Sequence, residues 1–306
     1  MNPALLPIIE CIPNFSEGRD AAVIARLCDA VRAIASVRLL DVHRDDAHHR
    51  SVLTFVGTPG AVLEAAFASA RCAVECIDLR THQGVHPRMG ATDVIPFVPI
   101  EGSSLAQCAD LARACGRRIG DTLGVPVYFY EAAATRPERR NLADIRRPRF
   151  EGLKDLIKTD PAWAPDYGPA ELHPTAGATA VGARGPLIAY NVWLDAADVA
   201  AAKAIARAVR ERDGGLPGVK ALGLTIADAR RVQVSMNLCD PDRTSMRQAF
   251  EAVAREAERL GIGVSHSELV GMVPARHFDS SWVTKLKLKD FREAQVIKIN
   301  LPMASR

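Results

Sequence analysis

The sequence has no long apolar run and no leader-like start. Nowhere in its 306 residues do about 18 apolar residues follow one another, so we expect no membrane-spanning helix. Residues 1–13 lack the basic start, the apolar core and the small-residue cleavage site of a signal peptide. We therefore predict a cytoplasmic protein that has no membrane partner.

Closely spaced cysteine pairs and concentrated basic segments are also absent. The seven cysteines include no CxxC pair, which favours free thiols in a reducing compartment. The 39 Lys and Arg residues are interspersed with 36 Asp and Glu residues, which argues against a nucleic-acid partner. A net charge of +3 fits a small anionic ligand better.

What is present is the composition of a globular protein with a sizeable core. Hydrophobic residues make up 48% of the chain and charged residues 25%, which excludes wholesale disorder. A chain of 306 residues is long enough for two modest domains.

The first half of the chain alternates between strand-like and helix-like segments. Its first six segments have the order β-α-β-β-α-β, and one more helix and strand follow. In chain order these segments are residues 5–12, 20–34, 37–42, 51–56, 60–76, 94–99, 104–123 and 125–130. This order is typical of the split β-α-β, or ferredoxin-like, arrangement, with helices on one face of an antiparallel sheet.

The second half repeats the pattern after a change in composition. Residues 132–182 are rich in Pro, Arg, Gly and Trp, which predicts a long, irregular connector of the kind that often has a function. The β-α-β-β-α-β order recurs over residues 186–269, and we expect the tail from residue 278 to pack on this half. We therefore predict an α+β fold with domains at 1–183, including the connector, and 184–306, and a ligand cleft between them.

A polar segment, residues 81–93, separates a helix from a strand in the first half. It contains His82 and His86, and catalytic groups tend to lie on such connections. Histidine suits proton transfer near neutral pH because its unperturbed pKa is about 6.5. The alternative is an ordinary polar loop.

Residues 41–50 form a second polar segment, and its residues 43–50 are predicted to form a charged loop after the strand 37–42. His43 directly follows that strand, which places it to face the same rim as the 81–93 loop. His48 and His49 lie further along and invite a metal hypothesis, although the usual ligand spacings are absent. A solvated, salt-bridged hairpin is the alternative.

Residues 173–184 are rich in small side chains and end in Arg184. Small residues let the backbone approach a flat ligand closely, so that its N–H and C=O groups can bind the polar edge of that ligand. The spacing of Gly177 and Gly182 is not a phosphate-binding loop, because Lys and Ser or Thr do not follow. Close packing of the connector on the sheet is an equal alternative.

Several motifs in order resemble the glutamate formimidoyltransferase family, which includes the transferase half of formimidoyltransferase-cyclodeaminase. The resemblance covers about residues 9–274, and we expect the form of the family that lacks the cyclodeaminase half. The motifs are Glu10-Cys-Ile-Pro-Asn-Phe-Ser-Glu-Gly18, His86-Pro-Arg-Met-Gly90, Trp163-Ala-Pro-Asp166, Gly177-Ala-Thr179, Gly182-Ala-Arg184, Gln233-Val-Ser-Met-Asn237 and Glu268-Leu-Val-Gly-Met-Val-Pro274.

The resemblance implies two ferredoxin-like subdomains, a homodimer, a tetrahydrofolate channel between the subdomains and no metal. It also implies transfer of the formimino group from N-formimino-L-glutamate to N5 of tetrahydrofolate, in histidine degradation and one-carbon metabolism. The family's catalytic histidine falls on His86, and its folate-contacting stretch falls on about residues 168–177. The folate-binding residues expected on this basis are Gly168, Pro169, His173, Thr175, Gly177 and Arg184.

The chemistry suits these residues. N5 attacks the amidinium carbon and loses a proton, and the glutamate nitrogen gains one, so one group near neutrality can act as base and then acid. Both substrates carry carboxylates, which arginines hold by paired N–H donors. For this role we expect Arg50 and Arg88, with Arg44 and Arg184 as further candidates and Asn14 as a substrate-binding residue.

One position departs from some relatives, which have an aspartate where this chain has His43. Asp41 could take the place of that aspartate, as could Asp45 or Asp46, or His43 could itself carry a proton. A different formimino donor, such as formiminoglycine, or a formyl donor would fit the same folate channel. Two hypotheses from different functional classes are a metal-dependent hydrolase that uses the histidine-rich loops, and a folate-binding or partner-binding relative without catalysis.

Overall fold

The computed structural model of the chain describes residues 7–46, 48–84, 87–226 and 231–298. It divides into two compact units, of which the first ends at Arg184 and the second begins at Gly185. Both units combine helices with β-sheets, which confirms the predicted α+β class.

The first unit alternates strands and helices along the chain. Its described strands are β1 (Ile8–Cys11), β2 (Asn14–Phe15), β3 (Val37–Asp45), β4 (Arg50–Gly57), β5 (Thr92–Glu101), β6 (Val127–Glu131) and β7 (Thr179–Ala183). Its described helices are α1 (Ala21–Arg32), α2 (Pro59–Cys76), α3 (Leu105–Leu123), α4 (Leu142–Ile145) and α5 (Arg149–Thr159).

One mixed sheet runs through this unit. β3 pairs with β4, β4 pairs with β1 and β2, and these two pair with β5, all antiparallel. β7 continues the sheet parallel to β5, and β6 lies parallel to β7. Because side chains alternate along a strand, one face of the sheet places Phe55, Phe97 and Phe129 in a core shared with α1, α2 and α3.

Local signals fix the ends of these helices. The Asp20 side chain accepts hydrogen bonds from two N–H groups in the first turn of α1. Ser104 and Gln107 form a reciprocal capping box at the start of α3. Gly124 ends α3 with a left-handed backbone, φ 64°, which glycine adopts without steric cost.

The opposite face of the sheet is covered in part by the connector. Tyr128 and Tyr130 of β6 and Val94 of β5 share a cluster with Ile145 and Leu153 of the connector helices. This second layer anchors the connector next to the 87–93 segment, because Met89 belongs to the same cluster.

The prediction of an irregular connector was only partly right. Residues 132–182 contain α4 and α5 and supply most of β7, which lies inside the sheet between β5 and β6. Most side chains of β7 are small, and at Gly182 the neighbouring strand leaves no room for a side chain. A Cβ at Gly182 would lie 2.5 Å from the Tyr130 ring.

The hairpin of β3 and β4 is also longer than its apolar pattern indicates. We predicted that residues 43–50 form a loop, but β3 continues to Asp45 and β4 begins at Arg50. Strand pairing uses backbone groups, so it extends past the apolar side chains into polar sequence.

The second unit repeats the alternation on a smaller scale. Its described elements are β8 (Ile188–Leu194), α6 (Val199–Val209), β9 (Val219–Ile226), β10 (Arg231–Leu238), α7 (Met246–Arg259), β11 (Val264–Val270), β12 (Val273–Pro274), α8 (Trp282–Lys285) and β13 (Val296–Ile297). The antiparallel sheet has the order β11-β8-β10-β9. α6 and α7 cover one face around Tyr190 and Val234.

The described part of the tail packs on this unit, as predicted. Phe278, Trp282 and Phe291 lie against its hydrophobic core. None of the seven cysteines, all of which fall in the described ranges, forms a disulfide. Among the helices that the structure describes, none has the length and apolar character needed to cross a membrane.

Candidate active site

Three predicted site residues share one face of the first sheet. His43 pairs with Val52, and Val52 pairs with Asn14 on its other side. The next residue, Leu53, lies in the core under the helices, so this row of side chains faces away from that core. Asp41, two residues before His43 on β3, shares the outward face. His43 is exposed and Asp41 is half-buried.

Arg50, at the start of β4, joins this face to the polar loop. Its guanidinium donates a hydrogen bond to Asn14 Oδ1, and the Asn14 amide donates to the Ile12 carbonyl at 2.8 Å. Burial lowers the pKa of Arg50, and the charge of Asp93 opposes that shift. The structure thus brings two predicted substrate-binding residues into direct contact.

Hydrogen bonds hold the described residues that flank positions 85 and 86. His86 itself, like Val85, lies outside the described residues, and its catalytic role stays a prediction. His82 is buried, and its Nε2 donates to the His49 carbonyl at 2.9 Å, which leaves the neutral ring with an acceptor at Nδ1. Burial lowers the pKa of His82 and favours this neutral form.

Arg88 closes the same loop. Its Nη2 donates to the His82 carbonyl at 3.0 Å and to Glu151 Oε1 at 2.9 Å. The Arg88 side chain is 11% exposed and the Glu151 side chain 63%. The pairing with Arg88 holds the pKa of Glu151 below its ordinary value despite partial burial.

The remaining histidines of the polar hairpin pair with carboxylates. His48 Nδ1 lies 2.6 Å from Asp45 Oδ2, and His49 Nε2 lies 3.5 Å from Glu17 Oε1. Within the described ranges, no three His, Cys, Asp or Glu side chains come together as potential ligands of one metal ion.

The predicted folate-binding residues fall into two places. Gly177, with φ 69°, forms an isolated bridge with Gly90, and the Thr175 carbonyl accepts the Leu79 N–H at 2.9 Å. His173 Nδ1 accepts the Ala176 N–H at 3.0 Å and supports the same turn. These residues therefore adjoin the 87–93 segment.

Gly168 and Pro169 lie elsewhere. A Cβ added at Gly168 would lie 3.1 Å from the Val125 carbonyl oxygen, near the end of α3, and Pro169 is exposed. Arg184 directly follows β7, and its N–H donates to the Phe97 carbonyl at 3.1 Å.

Three further polar residues in this region, Glu10, Asp93 and Arg146, were not named as candidate site residues in the sequence analysis. Glu10 is a buried acid in β1, and burial raises its pKa to about 7 although the Arg184 charge acts in the opposite direction. Asp93 is buried beside Arg146, with 2.6 Å between Oδ2 and Nη2. Burial raises the pKa of Asp93, and the charges of Arg146 and Arg50 oppose that shift. Glu10 could have been noticed in the sequence, because it is an acid within an apolar strand. Asp93 and Arg146 are 53 positions apart, so their pairing produces no local sequence pattern.

Family models match both units. The formiminotransferase domain, N-terminal subdomain, matches residues 8–184, and the formiminotransferase domain matches residues 189–303.

Individual relatives are similar over most of the chain. A glutamate formimidoyltransferase of Streptococcus pyogenes serotype M1 is 45% identical over 93% of this chain and 95% of its own length. One of Thermoplasma acidophilum is 43% identical over 98% of this chain and 99% of its own length. A formimidoyltransferase-cyclodeaminase of Rattus norvegicus is 41% identical over 88% of this chain, and the match spans 50% of that longer relative.

Proposed function

This chain belongs to the formiminotransferase family, and from that premise we propose that it transfers the formimino group from N-formimino-L-glutamate to N5 of tetrahydrofolate. The products are 5-formiminotetrahydrofolate and L-glutamate. The observation that carries this conclusion is the pair of relatives named glutamate formimidoyltransferase, which are 45% and 43% identical over nearly their full lengths. Tetrahydrofolate is the co-substrate.

The reaction needs one proton to change place. A bond forms between N5 and the formimino carbon, the bond from that carbon to the glutamate nitrogen breaks, and a proton passes from N5 to the leaving nitrogen. We assign this transfer to His86, which acts first as base and then as acid. His43 or Asp41 is its partner, because both lie on the sheet face that also presents Asn14.

The substrate carboxylates need cationic partners near the residues assigned to proton transfer. Arg50 and Arg88 supply two guanidinium groups beside the loop, and the contact of Arg50 with Asn14 supports a shared role in binding. On the folate side we assign Gly168, Pro169, His173, Thr175, Gly177 and Arg184. The close approach of Gly177 to the 87–93 segment supports the central part of this set.

The proposal also includes the fold of each unit, the oligomeric state and the location of the protein. Each unit is a ferredoxin-like subdomain, supported by the order β11-β8-β10-β9 in the second sheet and by the matching order β5-β1-β4-β3 within the first. The protein is a cytoplasmic homodimer that uses no metal ion.

The direct test measures transfer by purified protein. Tetrahydrofolate and N-formimino-L-glutamate are mixed with the protein, and 5-formiminotetrahydrofolate is followed as its acid-converted methenyl chromophore. We expect turnover by the wild type, and we expect His86→Asn to lower kcat by about 10²- to 10⁴-fold, the usual contribution of a general acid–base group. His48→Asn, an exposed histidine of the neighbouring hairpin, is the matched control and keeps wild-type activity.

Different outcomes would change the proposal in defined ways. Folate binding without turnover would remove N-formimino-L-glutamate as donor, and formiminoglycine and formyl donors would be tested next. Full activity of His86→Asn would remove the histidine mechanism. Loss of activity on dialysis against a chelator, restored by a divalent metal ion, would favour a metal-dependent reaction.

A further inference from the structure

We propose that Asp93 and Arg146 are positioning residues for the transfer reaction, and that they act by fixing the backbone of residues 87–89. This segment directly follows His86 in the chain. The inference rests on the proposed function, because it assigns these two residues a role in the same reaction.

One guanidinium nitrogen of Arg146 joins two segments. Its Nη2 donates to the Pro87 carbonyl oxygen at 2.6 Å and lies 2.6 Å from Asp93 Oδ2. The second oxygen of Asp93, Oδ1, accepts the Met89 N–H at 2.8 Å. Together the two side chains hold the peptide groups on both sides of Arg88.

The pair lies in an environment where such bonds are strong. The Asp93 side chain is 3% exposed and that of Arg146 is 16% exposed. The ion pair between them is shielded from water, so loss of one partner leaves an uncompensated charge, and the hydrogen bonds to the Pro87 carbonyl and from the Met89 N–H are charge-assisted. The Phe150 N–H, which donates to the Arg88 carbonyl at 2.8 Å, holds the same segment from another direction.

Two consecutive arginines, Arg146 and Arg147, follow helix α4, and they contact different parts of the protein. The next residue, Arg147, is 71% exposed and pairs with Asp144 three positions earlier. Arg146 instead reaches back 59 positions along the chain to Pro87. The two consecutive arginines therefore differ: Arg147 pairs at the surface, and Arg146 binds the backbone of the 87–89 segment.

Position matters in this reaction because two substrates and one acid–base group must align. A displacement of about 1 Å at a reacting centre can cost on the order of 10²-fold in rate. Pro87 is bonded to His86, so a shift of its peptide group moves the preceding residue as well. The Asp93 charge also acts on Arg50, which contacts Asn14, so the carboxylate links the loop to the predicted substrate-binding pair.

The test uses single variants, a double variant and a neighbouring control. Arg146→Gln removes the charge, Arg146→Lys keeps it without the planar fork, and Asp93→Asn keeps an acceptor for the Met89 N–H. Arg147→Gln is the matched control on the same helix end. For each protein, kcat, the KM of both substrates and the pH dependence of kcat are measured well below the unfolding temperature.

A positioning role predicts a specific pattern. Arg146→Gln and Asp93→Asn lower kcat by about 10- to 100-fold while KM changes less than threefold, and Arg146→Lys retains an intermediate rate. The pH midpoints of kcat stay in place, because the acid–base group is unchanged. The double variant Arg146→Gln/Asp93→Asn is no slower than the slower single variant, since both act through one contact.

A further variant distinguishes loss of folding from loss of correct positioning in the folded protein. If Arg146→Gln does not fold, Arg146→Ala is assayed with added guanidinium ion, and recovery of kcat supports the proposal. Wild-type kcat in folded Arg146→Gln, or no recovery with guanidinium in folded Arg146→Ala, would overturn it. If one of these results is obtained while the wild type is active and His86→Asn is inactive, only the positioning role is overturned and the proposed function stands. An inactive wild type would instead overturn the proposed function.

Discussion

At the residue scale, Glu10 is the acid whose burial has the clearest measurable consequence. It is 5% exposed in β1, and burial raises its pKa from 4.5 to about 7. A folded-state pKa above the unfolded value means that the folded protein binds the proton more tightly. This carboxyl therefore stabilises the fold fully below about pH 4.5, and its contribution disappears as the pH rises to about 7.

Glu10→Gln removes this dependence, because glutamine resembles the protonated acid at every pH. Compared with the variant, the wild type should lose about 3 kcal/mol of unfolding free energy between pH 4.5 and pH 8. Urea unfolding at the two pH values measures the difference. Glu138→Gln, on the surface of the same unit, is the control and should show no such change. An equal pH dependence in wild type and Glu10→Gln would contradict the buried, protonated state.

Sequence patterns indicate candidate residues but not the contacts between them. Asn14 and Arg88 were predicted from motifs and Arg50 from a polar segment, and the structure places Asn14 and Arg50 in contact. Asp93 and Arg146 were not identified, because their contact depends on how the connector folds back over the sheet. A buried pair that joins distant segments has no periodicity for a sequence pattern to detect.

At the element scale, the turn at Gly177 holds the connector against the 87–93 segment. Its φ is 69°, and a Cβ there would lie 2.3 Å from the Met89 carbonyl oxygen. Gly124 has a similar φ of 64° but open space around it. Gly124→Ala should therefore cost about 1 kcal/mol from backbone strain alone, and Gly177→Ala roughly a further 1–3 kcal/mol from the clash.

Denaturant unfolding and folate titration together check this prediction. Gly177→Ala should also weaken tetrahydrofolate binding, since the turn must move away from Gly90, whereas Gly124→Ala should bind normally. Equal stability of the two variants would show that the Gly177 turn can relax without cost.

Most elements were predictable because each has a local signal. The helices have caps and apolar spacing, and the main strands of both units have apolar runs. β7 was missed because its small residues give no strand-like run, and its place in the sheet depends on pairing with two strands that are distant in sequence. The extra length of β3 was missed because backbone pairing continues through polar sequence.

At the scale of the whole molecule, the two units have separate hydrophobic clusters. Each cluster of described residues draws its members from one side of the boundary at Arg184. The repeated β-α-β-β-α-β order was the basis on which two domains were predicted. A cooperative domain needs its own core, and the first unit buries helices on one face of its sheet and the connector on the opposite face.

A fragment of residues 1–184 should therefore fold on its own. We expect a native-like circular dichroism spectrum and a single cooperative urea transition, because none of the described core positions of this unit is removed.

A fragment that ends at residue 131 is the control. It lacks β7, which pairs with both β5 and β6, and it also lacks the connector helices. This shorter fragment should lose cooperativity, since the sheet would be interrupted and Tyr128 and Tyr130 would be exposed. A non-cooperative transition in the 1–184 fragment itself would show that the second unit is required for the first to fold.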